Sequence, residues 1–287
     1  MEKSTIRQQF IEQIGVPVDE HNVTVAGLET SYVTAGRGKP LLLLHGSLEC
    51  GALSWYPILP ALARNFRVIA PDCPGYGESA KPATTYDATF YTTWLHGFLH
   101  TLQLPRLPLI GSSQGGAIAL HYALRYPPQV TQLVLVNSAG LVSQWSASVF
   151  GFLLRSGLLK LLPLRLLERW LEDYLLVNRA HLDERFALLK KYEKAVSATP
   201  EVQQCGHWGR SMRITRALAA ADLRRIVQPT LLLWGEQDSL FPPKVAWVAA
   251  QAIPRAHFQL IPDAGHAPQL ESPQRFLRGL HTFLAPS

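Results

Sequence analysis

The sequence predicts an α/β protein: a largely parallel β-sheet flanked by helices, with an all-helical insertion late in the chain. Three observations carry that expectation. Short apolar runs alternate with helix-like runs through the first half of the 287 residues. The alternation breaks after Gly140 and resumes after Pro229. Between those points, over residues 141–223, the periodicity is helical and rich in leucine, with leucines at 153, 154, 158, 159, 161, 162, 164, 166, 167 and 171. Strand–helix alternation implies right-handed crossovers, and crossovers imply parallel strands. The expected organisation is a core over 1–140, a helical cap over 141–223 and the rest of the core over 224–287.

Residues 1–15 are polar with spaced Ile6, Phe10, Ile11 and Ile14. That is the pattern of a short amphipathic helix; a signal peptide needs a continuous apolar stretch. Two β-type runs within residues 23–33 flank Ala26-Gly27, which signals a hairpin. Pro40 precedes four leucines at 41–44, apolar on both faces and so suited to a central strand. That strand runs into His45-Gly46-Ser47. Residues 55–64 read as a helix and 66–70 as the next strand, which ends in Pro71-Asp72-Cys73-Pro74-Gly75-Tyr76-Gly77-Glu78-Ser79. A helix over 91–104 leads to a strand at 107–110, and 132–136 is another strand. Beyond the insertion, strands at 230–234 and 257–261 alternate with helices at 244–251 and 273–284.

Composition narrows the function classes. Hydrophobic residues make up 47% and charged residues 17%, which excludes a disordered chain. The net charge is +6, but the positive residues are scattered and densest over 155–169. No basic tail or aromatic–basic alternation points to nucleic acid. Cys50, Cys73 and Cys205 are odd in number and widely spaced, as expected of reduced thiols in a cytoplasmic protein. No metal-ligand cluster appears, and no apolar run reaches the length of a membrane span. The leucines and arginines of residues 153–170 fit either a membrane-surface helix or a cap that packs on the sheet and lines a pocket; packing is the expectation.

The chemistry centres on Leu109-Ile110-Gly111-Ser112-Ser113-Gln114-Gly115-Gly116. A strand that turns at once into a helix must pass through a strained backbone, and the small residues leave room for it. The turn pushes the Ser113 hydroxyl above the sheet and aims the first amides of the helix at whatever Ser113 attacks. Ser112 fits a helix-capping role. A serine hydroxyl needs a base, normally a histidine held by a buried carboxylate. His266, in Pro262-Asp263-Ala264-Gly265-His266, follows the last expected strand and is the best placed of ten histidines. His45 precedes Ser113 in the chain and ends in a glycine turn, which suits a structural role. For the carboxylate, Asp238 in Trp234-Gly235-Glu236-Gln237-Asp238 is the choice, with Glu236 and Asp263 as competitors. The oxyanion donors expected are the amides of Gln114 and Ser47, each worth roughly 3 kcal/mol in the transition state.

Together, His45-Gly46, Asp72 with Pro74-Gly75-Tyr76-Gly77-Glu78-Ser79, the turn around Ser113, Asp238 and Gly265-His266 resemble the α/β-hydrolase superfamily over nearly the whole chain. The resemblance implies a mostly parallel eight-stranded sheet, no cofactor, and a helical cap between the sixth and seventh strands. Two groups within it are similar to this chain. Single-chain esterases imply a small, apolar carboxylic ester as substrate. Hydrolases that cleave carbon–carbon bonds in aromatic ring-fission products are similar in the segment from His45 through Gly51 to Trp55 and in Ser138-Ala139-Gly140. Their likeness implies a carboxylate-binding role for Arg185. Ala267 and Ser112 depart from that second group, which usually has Trp and Asn there. The expectation is therefore ester hydrolysis, with carbon–carbon hydrolysis, or a receptor on a hydrolase scaffold, as alternatives.

Overall fold

The computed structural model describes residues 2–141, 172, 174–205 and 213–284. Strands β1 (Asp19–Val25), β2 (Leu28–Ala35), β3 (Lys39–Leu44), β4 (Phe66–Pro71), β5 (Leu107–Ser112), β6 (Val130–Val136), β7 (Thr230–Gly235) and β8 (Ala256–Ile261) form one sheet. Their spatial order is β1-β2-β4-β3-β5-β6-β7-β8. The pairs β1–β2 and β2–β4 are antiparallel; the rest of the sheet is parallel. The β1–β2 hairpin closes at Ala26 and Gly27, both with positive φ, as a tight two-residue turn requires.

One topological detail positions the site. From β3 the chain crosses to β4 on one side, then returns to β5 on the other side of β3. The loops that leave β3 and β5 therefore diverge from adjacent strand ends. A crevice at such a reversal is where open α/β sheets bind ligands.

The four leucines of β3 are fully buried. Leu42 and Leu44 pack with Tyr91, Trp94 and Phe98 on one face, while Leu41 and Leu43 pack with Phe10, Trp55 and Phe276 on the other. Truncating any one of them to alanine costs about 2–5 kcal/mol. This double burial explains why β3 reads as a continuous apolar run.

Helix α1 (Lys3–Glu12) buries Ile6 and Phe10 as the spacing predicts, and also Arg7. Arg7 Nη1 donates to the Tyr192 hydroxyl at 2.8 Å, and the guanidinium pairs with Glu20 at 2.5 Å. The expected helix over 55–64 is corrected. A 3₁₀ turn, Gly51–Trp55, is followed by the four-residue helix α2 (Leu59–Leu62). Pro57 and Pro60 lack the N–H that a continuous helix would use, and each disfavours helical backbone in the residue before it. Helix α3 (Ala88–Thr101) begins earlier than expected, because the Asp87 side chain caps it by accepting from the Phe90 amide at 2.9 Å.

Helix α4 (Gln114–Arg125) follows β5. Between β6 and β7 the described residues hold helices α5 (Glu184–Ser197), α6 (Pro200–Cys205) and α7 (Ala220–Leu223) and no strand. This is the helical insertion after the sixth strand. The leucine-rich segment 153–170 lies outside the described residues, as does most of the first half of the expected 141–223 cap. Helices α8 (Pro243–Ala252), α9 (Pro268–Glu271) and α10 (Pro273–Leu284) complete the chain. Among the described residues, no helix is long and apolar enough to cross a membrane. Cys50 and Cys73 are free and buried, and burial pushes both thiols well above their ordinary range.

Candidate active site

Ser113 is the single residue between β5 and α4. Its backbone stands at φ 49° and ψ −114°, a left-handed conformation that costs about 1–3 kcal/mol for a residue with a side chain. Main-chain hydrogen bonds hold it there. Its N–H donates to the Val136 carbonyl at 2.9 Å, and its carbonyl accepts from Gly116 at 3.1 Å and Ala139 at 3.0 Å. The helix starts flush against the neighbouring strand. A Cβ on Gly115 would lie 2.1 Å from the Leu44 carbonyl oxygen, so no larger residue fits. The capping role expected of Ser112 is corrected. Ser112 ends β5, and Ser113 itself occupies the N-cap position without a side-chain capping bond. A turn one residue long has no separate capping position, and the Ser113 hydroxyl stays free of the helix.

That hydroxyl lies 3.1 Å from His266 Nε2, and His266 Nδ1 lies 3.0 Å from Asp238 Oδ2. A carboxylate only accepts, so Nδ1 carries the proton and Nε2 presents its lone pair to Ser113. The Asp238 side chain is wholly buried, while the His266 side chain is 11% exposed. Asp238 Oδ1 accepts from the amides of Leu240 (2.8 Å) and Phe241 (3.1 Å). The Phe241 ring meets the imidazole edge to face, with centroids 5.3 Å apart. Of the competing carboxylates, Glu236 is exposed. Asp263 is exposed too and pairs with Arg275 at 2.6 Å.

Asn137 was missed by sequence reasoning. It follows β6 with φ 42°, a conformation asparagine tolerates better than most residues. Its Nδ2 donates to Asp238 Oδ2 at 2.5 Å and to the Gly265 carbonyl at 3.2 Å, and its Oδ1 accepts from the Gly235 amide at 3.1 Å. One side chain thus joins the ends of β6, β7 and β8. Only its place after an apolar strand could have drawn notice.

On the other side of Ser113 lies the loop after β3. A Cβ on Gly46 would stand 3.2 Å from the Ser113 Cβ, so this loop rests directly against the serine. The Ser47 hydroxyl donates to Gln114 Oε1 at 2.7 Å, and Gln114 Nε2 donates to the Tyr91 hydroxyl at 3.1 Å. The two residues expected to supply oxyanion amides are therefore linked through their side chains. Gln114 is the first residue of α4, where amides lack intrahelical partners and the helix dipole favours negative charge. His45 sits beneath them. Its Nδ1 donates to the Gly46 carbonyl at 2.6 Å, and its Nε2 accepts from the Cys73 amide at 2.9 Å. Burial lowers its pKa below the ordinary value of 6.5 despite the nearby Asp72, so the ring is neutral and bolts two loops together.

Arg185 lies in the first turn of α5. Its guanidinium is 2.6 Å from Asp183 and sits 5.1 Å from the centre of the Tyr56 ring. An anionic substrate group would have to compete with Asp183 for it.

Residues 39–273 match the model of the alpha/beta hydrolase fold, and the chain belongs to that family. It is 30% identical over 272 residues to a 2-hydroxymuconate semialdehyde hydrolase from Pseudomonas sp. (strain CF600), covering 92% of this chain and 93% of the relative. Among solved structures it is similar to a meta-cleavage product hydrolase from Pseudomonas fluorescens, with 26% identity and a TM-score of 0.79 over 92% of this chain and 96% of the other. It is also similar to a bacterial membrane phospholipase A, with 27% identity and a TM-score of 0.82 over 99% and 92%. The chain is a hydrolase of the α/β fold.

Proposed function

We propose that Ser113 is the nucleophile, His266 its base, Asp238 the carboxylate that orients the base, and the amides of Ser47 and Gln114 the oxyanion donors. We further propose that the bond broken is a carbon–carbon bond beside the aldehyde or ketone carbonyl of an aromatic ring-fission product. The catalytic half rests on the hydrogen-bond chain from Ser113 through His266 to Asp238. The substrate class is supported by the relative from Pseudomonas sp., which is named for 2-hydroxymuconate semialdehyde and matches almost end to end. This reverses the order of the sequence expectation, which put esters first.

In this reading His266 takes the Ser113 proton as Oγ adds to the carbonyl carbon. Collapse of the tetrahedral adduct breaks the carbon–carbon bond. The electron pair passes into the conjugated fragment, where carbon takes the proton from the imidazolium. Water, activated by the same imidazole, then releases the carboxylic acid from Ser113. An ester would follow the same path with an alkoxide leaving group. Two observations favour that second reading: the likeness to the phospholipase, and the engagement of Arg185 by Asp183.

One set of assays separates them. The purified protein is offered a ring-fission dienoate and a series of p-nitrophenyl esters of rising chain length. Turnover of the dienoate that weakens in Arg185→Ala, with neutral esters unaffected, supports carbon–carbon hydrolysis. If medium-chain esters are the better substrates and Arg185 is indifferent, ester hydrolysis replaces it. No turnover of either would overturn both readings of the bond broken.

A further inference from the structure

The loop that carries His266 is held by a carboxylate that the proposed chemistry does not use. Glu271, the last residue of α9, is fully buried. Its Oε1 accepts from the amides of Gly265 at 2.9 Å and Ala267 at 3.1 Å, the two residues that flank His266. Its Oε2 accepts from the amides of Val177 at 2.7 Å and Asn178 at 2.9 Å, within the insertion that follows β6. The amide of His266 itself donates to the Leu175 carbonyl at 2.8 Å. The two segments run in direct contact: a Cβ on Gly265 would lie 2.6 Å from the Leu175 oxygen.

A buried carboxylate is costly unless its lone pairs are satisfied, and here four N–H groups satisfy them. Those donors divide evenly between the base loop and the insertion. Glutamine has the same shape but only one accepting oxygen. Its amide nitrogen would face two N–H donors, so one of the two segments must be released.

We infer that Glu271 is a positioning residue, which acts through His266 and docks the base of the insertion onto the base loop so that the two move as one unit. The inference rests on the assignment of His266 as the base. It places no group of Glu271 on the substrate. Its effect is on the distance and angle of the imidazole to Ser113, where errors of about 1 Å are worth about 10²-fold in rate.

The test measures how fast a fluorophosphonate probe labels Ser113 in the wild type, Glu271→Gln, His266→Ala and the double variant. For folded Glu271→Gln, labelling should slow about 10²-fold yet still reach one probe per chain, because the serine is intact. In the His266→Ala background the same change should have no further effect. Labelling at the wild-type rate with only a lower melting temperature would overturn the inference, and so would an additive slowing in the double variant. Should Glu271→Gln not fold, Gly265→Ala presses a methyl group on the Leu175 carbonyl and keeps the carboxylate. Slowed labelling is then expected, and a wild-type rate overturns the inference. A wild-type rate in His266→Ala would remove the base assignment and this inference together, whereas a slow His266→Ala beside an unaffected Glu271→Gln removes this inference alone.

Discussion

The turn after β5 holds Ser113 with main chain alone, through four backbone hydrogen bonds and a glycine that leaves no room for a methyl group. The loop after β8 holds His266 largely with side chains: Asn137 on the Gly265 carbonyl and Asp238 on the imidazole, both from other strand ends, and Glu271 from the helix that follows on the amides to either side, beside one main-chain bond to Leu175. The Ser113 hydroxyl and His266 Nε2 stand 3.1 Å apart, yet their supports share little. A turn built from its own backbone should fail by steric intrusion. A loop held largely by side chains should fail by loss of a hydrogen bond.

The largest expected effect falls on the atom both supports serve. Ser113→Ala should lower kcat about 10⁴-fold or more without unfolding the protein, measured by steady-state kinetics beside circular dichroism. Ser112→Ala is the control and should remain active. If Ser112→Ala is the dead variant instead, the assignment of the turn is wrong.

Next comes the steric limit. Gly115→Ala drives a methyl group into the Leu44 and His45 carbonyls, and should cost about 3 kcal/mol in denaturant melts. A wild-type midpoint would show that the turn can relax, and the contrast between the two loops would blur.

Asn137→Ala tests the other support. It removes a donor to Asp238 and strands the Gly235 amide, for a stability loss of about 1–3 kcal/mol. The kcat should fall further than that modest loss suggests, by about 10²-fold, because the imidazole loses its alignment. An unchanged kcat would mean that Asp238 alone suffices.

The smallest effect is a slope with pH. The folded state keeps His45 neutral because burial lowers its pKa, whereas the unfolded chain protonates it near the ordinary 6.5. The unfolded state therefore binds more protons below that pH, and the contribution of His45 to stability is lost as the pH falls. Between pH 7.5 and 5 the wild type should lose more melting temperature than His45→Asn does. Equal losses would assign the acid sensitivity elsewhere.

The strands of the sheet's second half, the hairpin and the turn around Ser113 were legible because their signals are local. Apolar runs, paired residues with positive φ and closely spaced glycines act on neighbours in the chain. The helix expected over 55–64 does not form as one element because the backbone obeys Pro57 and Pro60.

What the residue order determined by itself was the fold class, Ser113 as the one residue of a strained turn, and His266 in the loop beyond the last strand. Each follows from chain-local sterics and from where strands end. Tertiary structure decided which of the three candidate carboxylates meets His266. Asp263 is three residues from His266 in sequence, yet it faces solvent and pairs with Arg275. Asp238 is 28 residues away and lies at 3.0 Å. It also decided the parts played by Asn137 and Glu271, which carry no motif. Hydrogen bonds reach about 3 Å through space and take no account of separation along the chain, so the packing of β6, β7 and β8 side by side brings Asn137, Asp238 and His266 together, while the short helix α9 turns Glu271 back onto the His266 loop.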